Sequence, residues 1–106
     1  MAVVIWNNTA RKEWRKLLLY GLQEFGTTAS VRFIRKTDQI EKQLEKHPEA
    51  GTPEYLLRHK KFVYRSRHLL PHIKMIYRYV RTSDTVRVVD IWDTRCNPNS
   101  LQRRMK

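Results

Sequence analysis

An arginine stands at position 95 in the stretch VVDIWDTRCNPNSL (88–101), where a strand gives way to a loop. Val88, Val89, Ile91 and Trp92 suit a pleated, half-buried surface, and Asn97-Pro98-Asn99 stops such an element. A guanidinium held at a strand end can grip a phosphate through two parallel hydrogen bonds. Upstream, Lys61, Arg65 and Arg67 fall at i, i+4 and i+6, which point the same way along one extended segment. That spacing gathers three cations on one face, as an anion site or as solvated charge on an exposed sheet. His68 and His72 offer imidazoles that can serve as acid or base. They are four residues apart, but Pro71 forbids the helix that would align them as ligands, so no metal is expected. Asp90 and Asp93 do not alternate onto one face of an ideal strand. No P-loop or dinucleotide-type glycine pattern occurs, and no cofactor is expected.

The charge balance gives these cations context. Twenty-two Lys and Arg against ten Asp and Glu leave a formal charge of +12 and a pI near 10.4. A small basic domain commonly meets a polyanion or an acidic protein. The length, 106 residues, suits one domain over 1–106 with a single core. A hydrophobic share of 41%, including three Trp, five Tyr and three Phe, is too high for a disordered tail. Cys96 is the single cysteine, so no intrachain disulfide or Cys-based zinc site can form. The apolar run in MAVVIWNN is too short for a signal peptide or a membrane span, and no segment pairs a clean apolar face with a purely basic one. A soluble cytoplasmic domain without a membrane partner is expected.

The elements that must carry these residues follow from periodicity. AVVIW (2–6) reads as a strand, and Asn8 or Thr9 can cap the helix that follows. Ala10, Trp14, Leu17, Leu18, Gly21 or Leu22, and Phe25 recur at helical spacing and predict one buried stripe. Gly26 ends this helix as a left-handed residue. Thr27 or Thr28 opens a second helix with Ala29, Phe33, Ile40 and Leu44 inward, and Pro48 closes it. A link of about two residues folds the pair into an antiparallel hairpin. Beyond the connector HPEAGTPEYLLRHK, the segments KFVYRSR (61–67), IKMIYRYV (73–80) and TVRVVDIW (85–92) read as strands with short links. The predicted fold is α+β, β-α-α-β-β-β, an antiparallel sheet with a helical hairpin packed on one face. Trp6 and Trp92 are expected to pack helices on that sheet.

This ordered set resembles the RelE/ParE family of bacterial toxins from type II toxin–antitoxin systems. ARKEWRKL in the first helix, KHPEAG at the exit of the second, VYRSR and IKMIYRYV in the central strands, and DIWDTRCNP after the last strand carry the resemblance over almost the whole chain. It implies one of two activities on one fold. RelE-like members cut messenger RNA in the ribosomal decoding site without metal, whereas ParE-like members poison DNA gyrase. Fold alone does not choose between them.

Metal-free RNA cleavage requires a deprotonated ribose 2′-OH, stabilised phosphate charge and a protonated leaving oxygen. By the resemblance, Arg65, Lys74 and Arg95 would be catalytic, with Lys61 and Arg67 binding substrate. Lys74 falls where the family places a third-strand arginine and keeps the charge without the planar fork. No tyrosine follows Tyr79, and Leu101 or its neighbours stand where RelE-like members carry a tail tyrosine. His68, or His72, is the candidate for the missing acid or base. The reading carried forward is a growth-arresting toxin, with mRNA cleavage on the ribosome placed slightly ahead of gyrase poisoning. A non-toxic basic binding module is a third reading. The resemblance also implies a cognate antitoxin, whose acidic, disordered segment would fold over the basic surface.

Overall fold

In the computed structural model, which describes residues 1–105, a five-stranded sheet separates a helical hairpin from a short C-terminal helix. The elements are β1 (Val3–Trp6), α1 (Asn8–Lys46), β2 (Thr52–Pro53), β3 (Tyr64–Leu70), β4 (Ile73–Val80), β5 (Thr85–Asp93) and α2 (Pro98–Arg104). The strand order is β1-β5-β4-β3-β2. Strands β3 to β5 pair antiparallel, as expected, and β2 adds antiparallel to β3, but β1 runs parallel to β5, so the sheet is mixed.

The helical segment α1 is two helices that meet at Gly26, whose φ of 86° and ψ of −176° are non-helical. That conformation is essentially restricted to glycine. Limbs 8–25 and 27–46 therefore fold back on each other, as the hairpin expectation requires. Their contact is aromatic and polar at once. Trp14 stacks on Phe33 with ring centroids 5.5 Å apart, and its indole N–H donates to Thr37 Oγ1 at 2.9 Å. The Thr37 hydroxyl in turn donates to the Phe33 carbonyl, so no buried polar group is left open there. The cap is Asn7 rather than Asn8 or Thr9: its Oδ1 accepts from the Ala10 N–H at 2.8 Å.

The two sheet faces bury separate clusters. On the hairpin face Ala10, Phe33, Ile40 and Leu44 pack against Met75, Tyr77, Val86 and Val88. The stripe predicted for the first limb stops short. Trp14, Leu17 and Leu18 are partly buried, but Leu22 and Phe25 are exposed, Phe25 by 69%. They lie near the hairpin tip, past the edge of the sheet that covers the rest. On the opposite face Leu57, Tyr64, Ile76 and Trp92 pack with Leu101 and Met105. Trp6 supports the hairpin, meeting Trp14 edge-on at 6.2 Å, whereas Trp92 serves the other face.

Three boundaries differ from the sequence reading. Strand β3 begins at Tyr64, not Lys61, because a 3-10 turn at Tyr55–Leu57 and bends after it precede the strand. A two-residue strand, β2, forms inside the Pro- and Gly-containing connector. The Asn97-Pro98-Asn99 stretch does stop β5, but it also starts α2. Asn97 Oδ1 accepts from the Asn99 N–H, and Pro98 occupies the first turn, where its missing N–H has no consequence.

Candidate functional site

The cations singled out in sequence are divided by the sheet. Arg65 pairs with Tyr77 and Arg67 with Met75 across β3 and β4, so both arginines share the hairpin face with those core residues. His68 pairs with Lys74, and Lys74 with Trp92, which places both on the opposite face beside α2. Lys61 precedes the strand, exposed, with its ammonium 5.4 Å from the Phe62 ring centre. The single face expected for Lys61, Arg65 and Arg67 thus holds for Arg65 and Arg67, because Lys61 lies outside the extended segment.

Each partly buried cation among these candidates, Arg65, Arg67 and Lys74, already has a partner. Arg65 donates to the Gly51 carbonyl at 3.0 Å, and Arg67 to Gln43 Oε1 at 2.6 Å. Gly51 is held from its other side as well, its N–H donating to Tyr77 Oη at 2.8 Å. Burial pushes the Tyr77 phenol above its ordinary pKa despite that bond and the nearby Arg65. A Cβ at position 51 would meet Tyr77 Oη at 2.6 Å, so only glycine lets the chain pass this close. Lys74 lies 2.9 Å from Glu54 Oε2, with side-chain exposures of 19% and 4%. Neither Glu54 nor Gln43 was among the candidate residues. No local pattern marks a partner twenty or more residues away in sequence.

Arg95 sits on the turn after β5, exposed, and clamps Asp93 with two N–H groups at 3.0 and 2.8 Å. Hydrogen bonding from Arg95 holds the Asp93 carboxyl below its ordinary value and raises the guanidinium's own. Arg95 and His72 border an apolar groove of about 370 Å³ formed by Leu17, Tyr20, Phe25 and Ile73 near the hairpin tip. On the far face Arg104 of α2 reaches the fully buried Asp90, its Nη1 lying 3.0 and 2.8 Å from the two carboxylate oxygens. Burial pushes Asp90 up, and the guanidinium offsets part of that rise. This pair pins the C-terminal helix over Trp92. Among the described residues no group of three His, Cys, Asp or Glu side chains is placed to hold a metal ion, and no helix is long and apolar enough to cross a membrane.

The family model described as the ParE toxin of the type II toxin-antitoxin system parDE matches residues 4–98. The chain belongs to this toxin family. Its fold is similar to a solved structure titled as the chromosomal ParDE system from P. aeruginosa, with a TM-score of 0.67 at 12% identity over 88% of this chain and 96% of that one. It is also similar to a metal-bound toxin from Helicobacter pylori (TM-score 0.64, 16% identity, 88% and 94% coverage) and to the YoeB/ParE toxin from Agrobacterium tumefaciens (0.62, 16%, 86% and 96%). At these identities the likeness is one of fold. No curated protein matches the chain in sequence. Membership of a toxin–antitoxin family implies a cognate antitoxin as partner of this ParE-family toxin.

Proposed function

We propose that this ParE-family toxin arrests growth by binding DNA gyrase and has no nuclease activity of its own. The observation that carries this reading is the division of the basic side chains. Lys74 and His68 lie across the sheet from Arg65 and Arg67, and Lys74 is neutralised by Glu54. A nuclease site needs its acid, base and phosphate-binding cations converged on one reacting group. Here Arg65, Arg67, Lys74 and Arg95 each hold a protein oxygen instead. The formal net charge of +12 favours steering toward a polyanionic complex and recruitment of an acidic antitoxin segment.

One observation supports the ribosomal alternative: His68 stands directly opposite Lys74, a proton-transfer group beside a cation. The two readings separate in a side-by-side assay of the purified toxin. Gyrase-dependent DNA breakage or inhibited supercoiling, with intact mRNA on programmed ribosomes, is the expected result. Ribosome-dependent mRNA cleavage lost in His68→Ala, with gyrase unaffected, overturns the proposal.

A further inference from the structure

On the sheet face away from the hairpin, Arg78 of β4 stands directly opposite Arg87 of β5. Such paired positions hold their Cβ atoms about 4.5–5.5 Å apart, and like charges there repel. Among the described residues neither guanidinium has a salt-bridge or side-chain hydrogen-bond partner. The two buried carboxylates of this face, Glu54 and Asp90, are taken by Lys74 and Arg104. No described carboxylate therefore offsets the repulsion between Arg78 and Arg87.

The pair opens into a cavity of about 280 Å³ whose walls include Phe62, Tyr64, Asn7 and Thr9. That is close to the lower end for small-ligand sites, roughly 300 Å³. Arg78 lies over the Phe62 ring, 4.0 Å from its centre, a contact made by the guanidinium's face that leaves its N–H donors unspent. Tyr64 is paired with Arg78 on the neighbouring strand and meets Phe62 edge-on at 6.4 Å. Two guanidinia can each take one non-bridging oxygen of a single phosphodiester, while the aromatic walls offer a face to a base. We infer that Arg78 and Arg87 form a phosphodiester-binding site for one nucleotide step of a nucleic-acid strand, separate from Arg65, Arg67 and Arg95. The site goes beyond the gyrase reading, since it is defined by binding a strand and not by the target enzyme.

The test is fluorescence anisotropy of the full chain with labelled single-stranded DNA and RNA of the same sequence. Arg78→Gln/Arg87→Gln is compared with Arg11→Gln/Arg15→Gln, which removes equal charge from the exposed first limb of α1. The pocket variant is expected to bind about tenfold more weakly or worse, and to lower the log–log salt slope by about 1.4, the value for two phosphate contacts on a single strand. The control should lose less than about threefold. Equal loss of DNA and RNA binding assigns the contact to the shared backbone, and a larger RNA effect assigns it to a 2′-OH-bearing strand. Because a repulsive pair is removed, the pocket variant should melt at or above the wild-type temperature. Equal loss in the two double variants, a lower melting temperature for the pocket variant, or polyglutamate bound as tightly as the oligonucleotides overturns the inference.

Discussion

Lys74 and Glu54 form an ion pair beside α2, with Lys74 Nζ 3.2 and 2.9 Å from the two carboxylate oxygens. Lys74, a candidate site residue by the sequence resemblance, is thus held inside the scaffold. Lys74→Met alone would leave the Glu54 carboxylate buried without its cation, and should cost about 3–5 kcal/mol of stability. Lys74→Met/Glu54→Leu removes both charges and should recover most of that loss. Chemical denaturation reads the stability and a growth assay reads the toxicity. A stable double variant that still arrests growth makes Lys74 structural, whereas a stable but harmless one returns it to the functional site.

Asp93 should report the state of the Arg95 clamp. Its folded pKa lies below the ordinary 3.8, so the clamp stabilises the fold above that pH. The contribution is lost as pH falls through the lower folded value, when the carboxylate takes up a proton. Carbon NMR of the Asp93 carboxyl should show titration below 3.8 in the wild type and a shift back toward 3.8 in Arg95→Gln. An unchanged titration in that variant would mean that the clamp does not form in solution. Arg95 is exposed, so its removal should leave the melting temperature nearly unchanged. Loss of growth arrest at matched expression would then assign Arg95 to target binding.

Gly51→Ala should destabilise the domain by about 1–3 kcal/mol, because the new methyl must displace the Tyr77 ring or the Ser66 carbonyl. Tyr77→Phe removes the acceptor for the Gly51 N–H and should cost about 1–3 kcal/mol, the penalty for an unsatisfied buried donor. The two effects should not add, since both act on one contact. A double-mutant cycle by thermal or urea unfolding measures the coupling, and simple additivity would contradict the close approach.

Trp14→Ala should cost about 3 kcal/mol, since it removes the ring between Trp6 and Phe33 and strips Thr37 of its indole donor. Thr37→Val isolates the polar part and should cost about 1 kcal/mol. If Trp14→Ala melts like the wild type, the limbs of α1 are held together by other contacts.

The sequence by itself determined the element types and much of their order. Helical spacing from Ala10 to Leu18 and from Phe33 to Leu44, a glycine at 26 and alternation through Ile73–Val80 are local signals, set by which side chains one face can bury. The same local logic could have revealed α2, because Asn97-Pro98 is helix-start chemistry as well as a strand stop. It could not reveal that β1 joins the sheet parallel to β5, since that pairing bridges about eighty residues and depends on where the hairpin returns the chain. The sites divide along the same line. Cation positions were legible, but which face each occupies follows from where β3 begins, and a start at Tyr64 instead of Lys61 excludes Lys61 from the strand's alternation. Only the tertiary structure brought Glu54 to Lys74, Gln43 to Arg67 and Arg78 to Arg87. Charge composition fixes how many cations the chain carries, but burial and strand register decide which are neutralised and which remain open to a ligand.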